Sequence, residues 1–297
     1  MTEGLRPMNL GGILDRGVQV FRARFAVFFG LAAITGIAEL MYKLASINPA
    51  PTPSGSANNG PPSESYGAAV VSWLALAGLG AIVRAASCYA ASRVILGEAV
   101  SIRKSFGRFT SKIWLLVWLT ILQGFYAGWP YLVATFVSVI AASPGSAFRG
   151  VVLLLGLIPC AIFFAWYALA FPTIAIEGQA PQRAIDRSLS LGRGGRRRVF
   201  CGVAVAYAPP LMLTYGIPVL VNTMLIGNAW QTANPFLVSG IEGVAGLIAT
   251  LVFTPYAHIV LTLLYYDQRI RKEGFDVEQM MQAAGLDENA ALPDVGA

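Results

Sequence analysis

The sequence predicts an all-α fold, a polytopic membrane helical bundle of six transmembrane helices accompanied by interfacial amphipathic helices. Three observations carry this prediction. The 297 residues are 56% apolar and only 12% charged; soluble domains are about a quarter charged, so a soluble core would leave this apolar excess exposed. Six apolar stretches each exceed the roughly 20 residues that cross about 30 Å of hydrocarbon. Eighteen of the twenty-one Lys and Arg residues fall before the first stretch, after the last, or in and at the edge of alternate gaps between them. Lipid cannot satisfy backbone polar groups, so only helices or closed barrels span it, and the stretches lack the period-two alternation of barrel strands.

The N-terminal segment carries Arg6, Arg16, Arg22 and Arg24. Its Leu10, Leu14, Val18, Phe21 and Phe25 recur at helical spacing, which predicts a helix lying in the membrane surface. The first span runs from Phe25 to Ile47. It starts too late and carries too much charge, at Glu39 and Lys43, for a cleaved signal peptide, so it is expected to be retained. Residues 48–65, rich in Pro, Ser, Gly and Asn, predict a flexible external loop.

Tyr66 to Ala99 forms the second span. A second basic segment overlaps its end and continues beyond it, with Arg93, Arg103, Lys104, Arg108 and Lys112 as its charges and Ile102, Phe106, Phe109 and Ile113 at helical spacing. Spans three and four, Ile113 to Ala142 and Gly150 to Ile176, are separated by a gap whose one basic residue is Arg149. The third basic segment holds Arg183, Arg187, Arg193, Arg196, Arg197 and Arg198, with Ile185 and Leu189 apolar and Pro181 suited to a first helical turn. Spans five and six run from Val199 to Ile226 and Phe236 to Tyr266, and Arg269, Arg271 and Lys272 come after. Gly274 is expected to stop the last helix, and Asp276 with Gln279 to cap a short cytoplasmic one.

Because basic loops resist translocation, the charge alternation predicts that both termini are cytoplasmic. Residues 1–274 read as one transmembrane domain and 275–297 as a short helix with a flexible tail. Asp15–Arg22 aligns with Asp186–Arg193, and Arg103–Arg108 fits more loosely. Two readings stay open: chance similarity, or three hairpin repeats over about 9–99, 100–176 and 181–270.

Ionisable residues at membrane depth mark candidate sites. Arg84 lies deep in the second span with Ala77, Gly80, Ala81, Ser87, Cys88 and Ala91 around it at helical spacing, which supports inward packing against a close neighbour. The competing reading is an arginine snorkelling to the interface. Glu39 and Lys43, four apart, predict a local ion pair. Glu242, beside the small stripe Ser239, Gly243, Gly246 and Thr250, stands at similar depth, and the alternative is an outward polar pocket of all three. His258, the one histidine, follows Pro255 and reads as a satisfied structural residue rather than a proton relay. Pro130, Pro159, Pro172, Pro209, Pro210 and Pro218 are expected to interrupt other spans.

No nucleophile elbow, phosphate loop or metal-ligand motif occurs, so neither catalysis nor a cofactor or metal is expected. Cys88, Cys160 and Cys201 lack paired spacing and read as packing residues. The Arg193–Arg198 run adjoins a span and lacks aromatic interleaving, which favours anionic lipid headgroups over nucleic acid.

The stretch Pro255-Tyr256 through Leu264-Tyr265-Tyr266-Asp267-Gln268-Arg269-Ile270-Arg271-Lys272-Glu273-Gly274-Phe275-Asp276 resembles the closing segment of bacterial integral membrane proteins grouped with the glycerophosphoryl diester phosphodiesterase membrane domain. Ala184-Ile185-Asp186-Arg187-Ser188-Leu189-Ser190-Leu191-Gly192 is similar to that family's Arg-Ser-x-x-Leu-x-x-Gly element. The resemblance implies structural roles for Arg187, Ser188, Leu191, Gly192, Tyr266, Asp267, Arg269 and Arg271, and a bacterial inner-membrane location. It implies no phosphodiesterase activity, since the family's separate catalytic barrel is missing. The leading expectation is a non-enzymatic membrane protein contacting lipid or a membrane partner protein; the alternative is a transporter component with a polar path through the bundle.

Overall fold

Asn9 starts the first helix by accepting the Gly12 amide on its side chain at 2.6 Å, which satisfies one of the otherwise orphaned first-turn donors. The computed structural model describes residues 7–47, 63–141, 147–224 and 235–274. Within them α1 (Leu10–Ala23) turns at Arg24 into α2 (Phe25–Ile47), and α3 (Ser63–Ile95) leads to Ser101, whose side chain caps α4 (Ile102–Thr110). The hairpin of α5 (Ile113–Ala141) and α6 (Ala147–Tyr167) is followed by α7 (Ala170–Glu177), and Gly178 ends α7 in the left-handed region at φ 69°, a conformation open to glycine without a Cβ penalty. Pro181 opens α8 (Pro181–Gly192), and α9 (Arg196–Leu211) and α10 (Ile217–Met224) form the next run. The last run is α11 (Pro235–Ile248) and α12 (Thr254–Glu273), which ends at Gly274 with φ 65°, as its sequence position predicts.

No strand occurs among the described residues, and six helical runs are long and apolar enough to cross a membrane. The chain is an all-α bundle whose composition suggests a multi-pass membrane protein. A short amphipathic helix, α1, α4 or α8, precedes each pair of long runs. The loop expected at 48–65 starts its helix earlier, at Ser63, and its residues 48–62 lie outside the described residues, as does the tail beyond 274.

Prolines act differently from expectation. Pro130, Pro159, Pro209 and Pro210 sit inside helices without ending them. The fourth span does divide, at Ala168–Leu169, just ahead of Pro172. Pro218 and Pro255 each follow a five-residue π-helical segment, Met212–Gly216 and Ala249–Phe253. Proline offers no N–H and crowds the carbonyl four residues back; a widened turn absorbs both effects without breaking the run.

The last run occupies the centre of the bundle. Ile259 through Tyr266 are buried on every face of α12, the pattern of a helix surrounded by others, and α1, α3 and α9 pack on it. At Gly17 the backbone of α1 comes so close that a Cβ there would lie 3.1 Å from both Tyr256 and Val260. The α5–α6 hairpin instead turns Trp114, Phe125, Leu132, Phe136 and Leu154 outward, an apolar surface suited to lipid and too extensive for water. Of the three cysteines expected to pack, Cys88 is fully buried, Cys160 is partly buried and Cys201 is exposed.

Candidate functional site

Three polar assemblies emerge, one between the long apolar runs and two at the end of the bundle that carries the basic turns. The first is a partly open cavity of about 210 Å³ between α2, α3, α5 and the last run, lined by Arg84, Glu39 and His258 together with Thr35, Thr120, Thr250 and Thr254. The Arg84 guanidinium carbon stands 4.6 Å from the centre of the Phe171 ring, an attraction between the cation and the ring's negative face. Gly80 faces open space rather than a neighbouring helix, so on this side the small residues of α3 shape the cavity. Ala85, Cys88 and Ala91 make the packed side.

Glu39 and Lys43 do not form the expected i, i+4 pair. Glu39 accepts the Thr250 hydroxyl at 3.0 Å, and Lys43 donates to the Glu242 carbonyl at 3.4 Å. Both side chains are drawn across the contact between α2 and α11, where Gly243 and Gly246 bring the helices together: a Cβ on Gly246 would sit 3.3 Å from Lys43 Nζ. The outward pocket of Glu39, Lys43 and Glu242 shrinks to about 10 Å³, and Glu242 is absent from its lining.

His258 reverses its expected role as a satisfied residue. It is 3% exposed, and neither ring nitrogen has a hydrogen-bond partner. Its backbone carbonyl, by contrast, accepts the Thr262 hydroxyl at 2.8 Å. The sequence indicated Arg84, Glu39 and His258 individually; Thr250 stood out only as part of a small-residue stripe, and Thr35, Thr120 and Thr254 gave no signal, since Thr is common on packed helix faces.

The second assembly ties the two motif stretches together. Asp267, fully buried, accepts from Arg198 Nε at 2.9 Å, from Arg271 Nε at 3.0 Å and from the Met8 amide at 3.1 Å. Arg187 lies between Glu177 and Glu273, with 2.8 Å to the latter, and Arg269 also reaches Glu273, at 3.2 Å. Burial works against the Arg187 charge, but the Glu273 hydrogen bond and the two carboxylate charges outweigh it and raise its pKa above the ordinary arginine value. Ser188 donates to the Trp166 carbonyl at 2.7 Å, and Tyr266 shares a 2.7 Å hydrogen bond with Ser92. Leu191 and Gly192 are buried. Glu177, Arg198, Ser92 and Met8 complete this network; Arg198 stood out in the sequence only as one of a basic run, and no local pattern singled out the other three, whose partners on α12 lie far off in sequence.

The third assembly is an open basin of about 670 Å³ lined by Arg193, Arg196, Arg197, Arg198, Arg271 and Lys272. No acidic residue is among its lining residues. Arg198 and Arg271 are partly neutralised by Asp267 behind them, Arg196 lies over Trp166 at 4.4 Å, and Arg193 and Arg197 are exposed. Among the described residues no group of His, Cys, Asp and Glu is arranged to hold a metal ion.

Fold and sites together define the class, an all-α helical bundle whose six apolar runs suggest a multi-pass membrane protein, with a saturated ionic lock, a basic basin and a polar cavity between its long runs. Comparison with family models, curated proteins and solved structures finds no match to this chain.

Proposed function

We propose that this chain is a non-enzymatic integral protein of a bacterial inner membrane, with both termini cytoplasmic, that holds anionic lipid headgroups in the basin between the α8–α9 turn and the end of α12. One observation carries the reading: six cationic side chains line one concavity whose lining contains no acid, at the end of helices that are apolar along their length. Arginine forks match phosphate oxygens in bidentate geometry. Each basic residue near an acidic leaflet contributes about 1 kcal/mol of attraction.

The test is a titration of the purified chain in detergent with phosphatidylglycerol or phosphatidylcholine, read by thermal unfolding and by lipid retention. Phosphatidylglycerol is expected to stabilise selectively, and less so at high salt, since exposed charges are screened. Removing two exposed charges in an Arg193→Gln/Arg197→Gln variant should weaken its binding by roughly thirtyfold, the equivalent of about 2 kcal/mol. Equal responses to the two lipids would sink the proposal. A second reading, a transport component, is favoured by the cavity at Arg84.

A further inference from the structure

We infer that the cavity bounded by Arg84, Glu39 and His258 is a binding site for a small zwitterion that carries a carboxylate and an ammonium group, as a free amino acid does. This site is separate from the basin and does not depend on lipid binding there.

The charges come first. Arg84 has no carboxylate within ion-pair distance among the described residues, and neither does Glu39 have a cation. Opposite charges on one cavity attract, so leaving them apart requires that each be held elsewhere. Thr250 holds Glu39, and the Phe171 ring holds Arg84. What lies between them must present a negative end to the guanidinium and a positive end to the carboxylate.

The hydrogen-bond inventory points the same way. Each of the four threonines lining the cavity has already committed its one hydroxyl hydrogen: Thr35 to Ala32, Thr120 to Leu116, Thr250 to Glu39 and Thr254 to Ala249. Their oxygens are therefore left as acceptors on residues that line the cavity, as is the second oxygen of Glu39. An ammonium group has three hydrogens to give and no lone pair, and it suits that wall. On the other side Arg84 offers a planar set of donors, the recognition geometry for a carboxylate.

His258 supplies the independent sign of an occupant. A neutral imidazole has one donor and one acceptor; both are unmet here although the ring is almost wholly buried. An unmet buried polar group is costly, and the cavity is where its partners have room to be. A volume of about 210 Å³ is below the range of drug-sized pockets, about 300–1,000 Å³, so the occupant is small.

The experiment uses the full chain in lipid nanodiscs. Equilibrium binding and thermal unfolding are measured against a panel of the twenty standard amino acids, with acetate and ethylammonium as single-charge controls. At least one amino acid is expected to bind saturably, with neither control competing at matched concentration. Glu39→Gln and Arg84→Lys should each weaken that binding on the order of tenfold or more, the scale of one charge-assisted hydrogen bond. Glu39 is exposed and glutamine is nearly isosteric, so this variant keeps the test sound even if Arg84→Lys unfolds. The basin variant Arg193→Gln/Arg197→Gln should bind the amino acid normally, which separates this site from the lipid site. Absence of saturable binding across the panel, competition by acetate alone, or indifference to Glu39→Gln would each overturn the inference.

Discussion

Asp267→Ala removes the acceptor at the centre of the ionic lock. The carboxylate is fully buried and receives Arg198, Arg271 and the Met8 amide. Three charge-assisted bonds at about 1.5–3 kcal/mol each overstate the loss, because such contributions do not add. Removing one partner of a buried pair costs about 3–5 kcal/mol. Arg271 is 40% exposed and can rehydrate, which places the expected loss near the lower end, about 3 kcal/mol. At roughly 2 °C per kcal/mol for a large chain, thermal unfolding in detergent should fall by about 6 °C. Asp186→Ala is the control, since Asp186 is exposed and makes no packed contact in the lock; surface changes of this kind stay within about 0.5 kcal/mol. Adding Arg198→Met to Asp267→Ala should recover part of the loss, because the stranded cation goes with it. If Asp267→Ala melts with Asp186→Ala, or if the second substitution deepens the defect, the ionic lock does not hold the N-terminal segment to α12 as argued.

Three further outcomes are expected. Gly156 packs so closely on Ala134 that an added Cβ has no rotamer to escape into; Gly156→Ala should cost about 1–3 kcal/mol by thermal unfolding, and Ala134→Gly should restore it, whereas an additive second loss would contradict the packing. Ser188→Ala removes the bond to the Trp166 carbonyl and leaves that acceptor unmet, so a loss of about 1–3 kcal/mol is expected by the same assay, with no loss counting against the contact. For topology, single cysteines are placed at Ser54 and Arg197 in a cysteine-free background. The first should react with an impermeant maleimide on intact cells and the second only after permeabilisation; the reverse pattern would refute cytoplasmic termini.

The long runs were legible because their cause is compositional. Twenty or more apolar residues without period-two alternation have one economical solution in lipid, and Gly274 stops the last helix where its lack of a Cβ permits φ 65°. Side-chain partners were less legible. The i, i+4 spacing of Glu39 and Lys43 is a local rule worth a few tenths of a kcal/mol, so it yields easily to Thr250 and the Glu242 carbonyl on α11. The π segments were hidden for a related reason. Pro218 and Pro255 are visible in the sequence, but whether a proline kinks, breaks or widens its helix depends on what packs around it.

The Asp267 lock and the cavity then separate by one criterion, whether every buried polar group has a partner. In the Asp267 lock the carboxylate is met by two guanidiniums and an amide, and such saturation rigidifies, holding α1, α9 and α12 in one arrangement. At the cavity, Arg84 and Glu39 stay unpaired with each other and both His258 nitrogens are unmet. A packing role would favour closing that deficit within the chain, as Ser92 does for Tyr266 and Ser188 does for Trp166. Thr254 could have turned its hydroxyl toward the cavity, yet its hydrogen goes to Ala249, the start of the π segment that accommodates Pro255. The same widened turn thus carries α12 past its proline and sets an acceptor on the cavity wall. Pro255→Ala therefore offers a direct check on that coupling: a return to regular helix should redirect Thr254 and weaken amino acid binding while leaving the Asp267 lock, and its response to Asp267→Ala, unchanged. Binding that survives with wild-type affinity would show that the π segment serves the proline alone.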